Sequence, residues 1–320
     1  MFVHRLVIVF FMLLPAAFAQ DGYPSKPIRL VVPYGPGGGA DIVARPLAQQ
    51  LAEQLGQPVV VENRAGASGT IGSAAVAQAA PDGYTLLINF SSLFLAPLVV
   101  EEQPFDPEKS FTPIGQIATV PQVIVVHPSL PVQSTRELID YASKNPGQLS
   151  YVTAGAGTQQ HLTGESLGLA AGVRLSHVAY KGGSQAMTDL LGGHVKMGVL
   201  LLPTVLPQIQ AGKLRPIAVV ENRRTDTLPE LPTVAESGVP GFAMPDMFIG
   251  LFGPPATPQP VIQRLNAEVR KALQAPELLK TLDLAGYAPA PQDAAEFAPK
   301  TRDSYGLYKK LVKETELVSR

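Results

Sequence analysis

The 320-residue chain has no cysteine, which excludes disulfides, thiol nucleophiles and thiolate metal sites. Export remains open, since an oxidising compartment permits disulfides without requiring them. An excess of charge of either sign is missing too: 25 Lys and Arg stand against 26 Asp and Glu. That balance removes any electrostatic case for nucleic acid or an anionic membrane surface as partner. Of the five histidines, His4, His127, His161, His177 and His194, none pairs at i, i+4 and none belongs to His-Glu-x-x-His. Neither a metal nor another cofactor is expected from such a pattern. Long apolar runs are also lacking. Leu6 to Leu14 falls well short of the roughly 20 residues that a spanning helix needs, and Pro, Gly or charge interrupts every later run.

That apolar run belongs to a secretory signal over residues 1–19. His4 and Arg5 give the basic start and Ala17-Phe18-Ala19 the small-x-small pattern, so cleavage is expected after Ala19. No cysteine follows for lipid attachment, which favours a bacterial periplasm as the destination. Losing the signal takes Lys and Arg from 25 to 24 against 26 acids, a net charge of −2. The remaining chain is long enough for two domains. Its 29 Gly and 31 Pro fall between apolar runs, as turn punctuation does, rather than in a disordered tract.

Strand and helix signals alternate. Ile28 to Val32 reads as a strand, Ala40 to Leu55 as a helix with apolar residues at helical spacing and a stop at Gly56. Pro58 to Glu62, Thr70 to Ala79 and Tyr84 to Ile88 continue as strand, helix and strand. A new unit begins near Val120 to Val126, and Ser134-Thr135-Arg136-Glu137 forms a capping box for a helix to Lys144. Strands at 149–152, 175–180, 195–200 and 217–220 then alternate with helices at 158–171, 184–191 and 204–211. Asn222 to Pro240 is a polar, proline-rich crossing. Phe248 to Phe252 restarts a strand, Thr257-Pro258 caps a helix through Leu273, and helices fill most of the rest. Apolar strands alternating with helices imply parallel sheets covered on both faces. Two such units joined by extended crossings imply two lobes with a cleft between them.

Two glycine-rich loops lead from a strand into a helix: Pro33-Tyr34-Gly35-Pro36-Gly37-Gly38-Gly39-Ala40-Asp41 and Ala154-Gly155-Ala156-Gly157-Thr158. The first turn of a helix has N–H groups with no internal partner, its dipole favours negative charge, and glycines let a ligand approach closely. Two such loops facing each other would hold a small acid at both ends. Neither is a phosphate loop, because no Gly-Lys-Ser/Thr follows, nor a dinucleotide fingerprint, because the third glycine is missing. Asp41 suits the first helical turn on its own, and would repel a carboxylate unless turned away or occupied by an amino group or a water. Thr158 is a natural N-cap, and His161 one turn on reads as a packed or capping residue rather than a base. Glu62-Asn63-Arg64 and Asn222-Arg223-Arg224 read as solvated faces or loop-tying ion pairs, and Phe90, Phe94 and Phe248 as core or cleft lining.

A Ser–His–Asp hydrolase is the enzymatic rival. Gly66-Ala67-Ser68-Gly69 misses the Gly-x-Ser-x-Gly frame, and Gly164-Glu165-Ser166-Leu167-Gly168 matches it only inside a predicted helix, not at a strand-to-helix elbow.

Read in order, a set of short blocks extends these loops across nearly the whole chain after the signal. They are Tyr23-Pro24-x-Lys26-Pro27-Ile28-Arg29, Pro36-Gly37-Gly38-x-x-Asp41 with Arg45, Val61-Glu62-Asn63-Arg64-x-Gly66-Ala67 and Ala80-Pro81-Asp82-Gly83-Tyr84-Thr85-Leu86-Leu87. Then follow Gly155-x-Gly157-Thr158-x-x-His161-Leu162, Val178-Ala179-Tyr180-Lys181-Gly182, Ala211-Gly212-Lys213-Leu214-Arg215 and Pro232-Thr233-Val234-Ala235-Glu236-Ser237-Gly238. In this order and spacing the chain resembles the periplasmic solute-binding receptors of tripartite tricarboxylate transporters, the Bug family.

The resemblance implies an α/β, two-lobed periplasmic-binding-protein fold of the flytrap, type II-like kind, each lobe a sheet flanked by helices. Residues 20–122 and 243–320 would form domain 1 and residues 123–242 domain 2. It implies a non-catalytic, monomeric receptor that captures a small mono- or dicarboxylate, or an acidic amino acid, for membrane transporter subunits. A sensory or orphan receptor signalling to a membrane protein is the alternative. Carried onto this sequence, the ligand-binding positions are Tyr34, Gly38, Gly39, Ala40, Asp41, Gly157, Thr158 and His161, with Ser91, Ser92 and Tyr180 as cleft neighbours. Four departures are expected at the cleft edge or nearby loops: Phe248 where the family often has Trp, Lys196 where it often has Asp, Ala96 for a frequent Asn, and Ser68 for a frequent Gly.

Overall fold

The computed structural model describes residues 22–99, 105–180 and 183–317. The signal segment with its cleavage site, and Lys181-Gly182, lie outside them. β1 (Ile28–Val32) is buried except at Arg29 and runs into α1 (Gly39–Leu55). Val43, Leu47, Leu51 and Leu55 form the buried stripe of α1. Gly56 ends that helix with a left-handed φ of 66°, its N–H donated to Ala52 O. β2 (Val59–Asn63), α2 (Thr70–Ala77), β3 (Thr85–Phe90) and β4 (Thr112–Thr119) follow. The next run holds β5 (Gln122–Val126), α3 (Thr135–Lys144), β6 (Ser150–Thr153), α4 (Gln159–Ala171) and β7 (Ser176–Ala179). It continues with α5 (Gly183–Leu191), β8 (Met197–Leu201), α6 (Leu202–Gln210) and β9 (Arg215–Val219). The chain then returns through β10 (Phe248–Gly253), α7 (Gln259–Ala272), α8 (Pro276–Leu284), β11 (Ala288–Gln292) and α9 (Ala294–Thr315).

The strands form two sheets, ordered β11-β4-β10-β3-β1-β2 and β7-β6-β8-β5-β9. These are the two lobes. The chain passes between them twice, at Val120-Pro121 and through the segment between Val219 and Phe248. The sheets are mixed, not parallel as the alternation implied. β1 is parallel to β2 and β3, and β6 to β7 and β8. β10 runs antiparallel to β3 and β4, however, and β5 antiparallel to β8 and β9. β5 and β10 are entered by the crossings, where no helix intervenes to bring the chain back in the same direction, and β11, reached through α8, also runs antiparallel to its neighbour β4.

Helices cover both faces. On one side of the first sheet Leu30, Leu86 and Ile249 pack against Val43 and Leu47 of α1 and Leu265 of α7. On the other, a buried cluster runs from Val31 and Leu87 through Phe248, Phe297 and Tyr308 to Ile124, Val126 and Met197 of the second sheet. α9 thus ties the lobes together at the crossing. Val123, Val125 and Val152 pack against α5 and α6 on the far face of the second sheet.

Two strands differ from the sequence expectation. β4 carries Pro113 and Gly115 among polar residues, and β11 reads Ala-Pro-Ala-Pro-Gln where helix was expected. β11 lies at the edge of its sheet, the one place where proline's missing N–H costs no ladder bond. Thr257 does not cap α7: its hydroxyl donates to Pro254 O, and the cap position is Pro258. Ser134 does cap α3 by accepting from Glu137 N–H, but the Glu137 carboxylate reaches Gln133 N–H rather than closing the box on Ser134.

Candidate functional site

Three strand ends converge: those of β1 and β3 in the first lobe and β6 in the second. Each is the carboxyl end of a strand in parallel pairing, the position at which open α/β sheets present their ligands. The loop after β1 turns at Gly37, whose φ of 75° favours glycine. Gly38 N–H is taken by Gly35 O at 3.2 Å, and no side chain caps α1. The N–H groups of Gly39, Ala40 and Asp41 are therefore left open at the positive end of a 17-residue helix.

Asp41 is turned away from that opening. Its Oδ2 accepts from Gly37 N–H and Arg45 Nε, both at 2.8 Å, and its Oδ1 from Asn63 Nδ2 at 2.9 Å. Asn63 also donates to Tyr34 O at 3.1 Å. Burial alone would raise the Asp41 pKa, but the bonds from Arg45, Gly37 and Asn63 hold the carboxyl below its ordinary range. The residue is a fastener for the glycine loop, and its charge is spent inside it.

Tyr34 lies beneath the same loop. Its hydroxyl donates to Asn89 Oδ1 at 2.9 Å and lies 3.1 Å from Ser92 Oγ, while its ring packs on Phe90. Burial pushes its pKa up to about 12. A short helical turn at Ser91–Leu93 follows β3. Ser91 is fully buried, donating to Gln159 Oε1 at 3.1 Å and accepting from the Tyr308 hydroxyl at 3.1 Å. Tyr308 donates to Gln159 Oε1 as well, and Gln159 Nε2 reaches Pro245 O at 2.7 Å. The first residue of α4 is thus fastened to β3, to α9 and to the returning crossing. Ser92 contacts Tyr34 of the loop before α1 and its neighbour Ser91 bonds the first residue of α4, so one short turn after β3 touches both loops.

The second glycine loop is capped, unlike the first. Thr158 Oγ1 accepts from His161 N–H at 3.3 Å and donates to Gly155 O at 2.7 Å. Its only proton therefore serves the loop, and the N–H groups of Gln159 and Gln160 remain without a cap. Gly157 N–H donates to His161 Nδ1 at 3.2 Å, which places the proton of a neutral imidazole on Nε2, facing Glu165 at 3.8 Å. His161 stacks on His177 with centroids 3.7 Å apart. Burial lowers the pKa of both, that of His177 to about 4 with His161 as second cause. The Tyr180 hydroxyl is bonded to Asp189. That bond, with burial second, pushes its pKa up to about 12.

The structure therefore brings Tyr34, Gly38, Gly39, Ala40, Asp41, Ser91, Ser92, Gly157, Thr158 and His161 into one region, but the side chains mostly bond one another. Glu62 pairs with Arg29 and Arg64, and Arg224 with Glu236. Two family departures do not offer a side chain to the site. Phe248 stands beside the carboxyl end of β3, where Ile249 pairs with Phe90, but is fully buried, its ring against Phe297. Lys196 is exposed just before β8, at the opposite end of the second sheet. Sequence reasoning missed Asn89, Gln159 and Tyr308. Asn89 follows an apolar run and Gln159 a helix cap, so each had a local signal, but their side-chain partners lie 16 to 149 residues away. A cavity of about 40 Å³ at the crossing, beside the buried Glu221, has room for water but not for an organic acid. Among the described residues no group of three or more His, Asp or Glu is placed to hold a metal ion, and no helix is long and apolar enough to cross a membrane.

Known proteins share this fold. A family model described as a tripartite tricarboxylate transporter family receptor matches residues 43–317. Protein BugT of Bordetella pertussis is 38% identical over 279 residues, 86% of this chain and 84% of that one. A solved R. palustris protein with adipate is 33% identical with a TM-score of 0.83, covering 92% of this chain and 99% of its own. MatC from Rhodopseudomonas palustris, with bound malate, is 28% identical with a TM-score of 0.80, covering 91% and 100%.

Proposed function

The chain belongs to the tripartite tricarboxylate transporter receptor family, and from that premise we propose that it is a periplasmic solute-binding protein that captures a small carboxylate between its lobes. The solute is a mono- or dicarboxylate or an acidic amino acid, released to a membrane transporter of the same type. The two dicarboxylates held by relatives, adipate and malate, support this class. One observation carries it: two helix starts, α1 and α4, keep open N–H groups, and the turn holding Ser91 and Ser92 touches both loops. Each open N–H is a neutral donor that an acid oxygen satisfies. The negative charge of Asp41, the acid nearest the first set, is already satisfied by its own bonds. Binding through neutral donors is reversible, which a delivering receptor needs.

In this reading the backbone of Gly38, Gly39, Ala40 and Asp41 takes one carboxylate. The backbone of Gly157 and Thr158, with the following N–H groups, takes the opposite end of the ligand. Thr158, His161, Ser91, Ser92, Tyr34 and Tyr180 shape and stiffen these loops. Lobe closure follows because only the closed form offers both sets of donors at once. Residues 1–19 act as an export signal cut after Ala19, and the mature receptor is a monomer of two domains, residues 20–122 with 243–320 and residues 123–242.

Thermal-shift screening and calorimetry against adipate, malate, glutamate and aspartate test this. Stabilisation by at least one acid that is recovered unchanged is the expected result. No shift and no heat with any of them, or turnover of an ester substrate, would overturn the proposal.

A further inference from the structure

We propose that Tyr287 supplies the one side-chain hydroxyl that completes the acid-binding site at the start of α1. Tyr287 lies between α8 and β11, almost 250 residues beyond that loop, and is 3% exposed. Its ring belongs to the same buried cluster as Ala40 and Phe90. The hydroxyl stands directly over Gly39. A Cβ built there would collide with Tyr287 Oη and lie 3.3 Å from Phe90 Cζ. A Cβ at the first helical position leans toward the helix start, so the hydroxyl lies beside the first turn of α1, on the side that faces Phe90.

That hydroxyl has no hydrogen-bond partner among the described residues. Tyr34, Tyr151 and Tyr308, buried elsewhere, each donate to a side-chain oxygen. The hydroxyl is not one of the sealed, unpartnered polar atoms of the interior, so it keeps a path to solvent by which a ligand can reach it. It stands beside Gly39, the first residue of α1, whose N–H is uncapped, so one acceptor placed between them would serve both. An oxygen of a carboxylate fits that gap, because it accepts from Tyr287 and from the helix start together. Burial raises the phenol's pKa above its ordinary value, so the group stays protonated and donates. Its position also relates it to the second lobe. The adjoining Gly286 abuts Pro203 at the start of α6, and Leu201 packs against the Tyr287 cluster. A ligand held by Tyr287 is therefore held at the seam between lobes.

This inference rests on the carboxylate reading, and the experiment separates the two. Tyr287→Phe keeps the ring and removes only the unpartnered oxygen. Melting of the free protein is expected to be unchanged, while the Kd for whichever of adipate, malate, glutamate or aspartate the wild type binds rises about 10-fold or more. Gly39→Ala, which displaces the hydroxyl without removing it, is expected to weaken the same acid. An unchanged Kd in Tyr287→Phe overturns the role of Tyr287 and leaves the carboxylate reading standing. Wild-type protein that binds none of the four acids overturns both.

Discussion

The clearest test of how the first glycine loop works is Asp41→Asn. The wild-type carboxylate holds three donors on two oxygens: Gly37 N–H and Arg45 Nε on one, Asn63 Nδ2 on the other. Asparagine of the same shape has one acceptor oxygen. If it faces Gly37 and Arg45, its NH₂ meets the NH₂ of Asn63. If it is reversed, its NH₂ meets Gly37 N–H. Asn63 cannot rotate to help without losing its bond to Tyr34 O and the 3.1 Å bond that its oxygen accepts from Arg45. At least one hydrogen bond to a charged group is lost, about 1.5–3 kcal/mol. In a chain of this size that lowers Tm by about 2–5 °C.

The same fastener sets the position of the open N–H groups, so every acid that binds should weaken together, whether or not it carries an amino group. The pH dependence has a definite sign. A carboxyl whose folded pKa is depressed stabilises the protein above its unfolded pKa, and that contribution is lost as pH falls through the folded value. The gap between wild type and variant therefore narrows as pH is lowered through and below the ordinary carboxylate range. Calorimetric melting between pH 7 and pH 3, with titrations of adipate and glutamate, measures all three effects. An unchanged Tm with loss confined to glutamate would refute the reasoning, because Asp41 would then be receiving the ligand's amino group instead of fastening the loop.

Thr158→Val removes both the acceptor of His161 N–H and the donor to Gly155 O in the second loop; it should cost about 1 kcal/mol in melting experiments, with Thr158→Ser restoring it. Weakened binding without a Tm change would instead place the hydroxyl on the ligand. Gln159→Leu leaves Ser91, Tyr308 and Pro245 O without their shared partner, so the free protein should melt lower and show a larger radius of gyration in solution scattering. An unchanged radius would mean that this node does not hold the lobes together. His177 has its pKa lowered to about 4, by burial first and by His161 second, so between that value and about 6.5 the unfolded chain binds more protons. Stability should be full above pH 6.5 and fall toward pH 4, and His177→Gln should flatten that slope in calorimetric scans.

What the sequence revealed and what it hid follow from the range of the interactions. The glycine loops, the stop of α1 at Gly56 and the Thr158 cap depend on neighbours within one helical turn, and each was legible. The start of α1 is open for the same local reason, since no side chain within reach caps it. β11 was not legible, because its prolines are tolerated only by an edge position that the alternation cannot assign. Ser91 was expected, by resemblance, as a cleft neighbour. Its two partners lie 68 and 217 residues along the chain, and they consume it. Asp41 shows the intermediate case: Arg45 is one turn away, but Asn63 is 22 residues off on β2.

At this site, then, local sequence supplies more polar groups than a ligand could use, and pairing within the protein, near and far along the chain, removes most of them. Tyr34 goes to Asn89, Tyr180 to Asp189, Thr158 to Gly155 and Ser91 to Gln159. In the proposed reading, what is left for a ligand among the described residues is backbone N–H at two helix starts and the Tyr287 hydroxyl. All of these are donors and none carries a formal charge. Acceptor-rich anions fit such a set, whereas an amine would find no partner at the start of α1 once Asp41 is engaged. Selectivity among acids must then come from spacing: how far the two helix starts stand apart when the lobes close, and whether a carboxylate at the first can also reach Tyr287. Gly39 belongs to the same logic, because any side chain there would displace that hydroxyl before a ligand arrived.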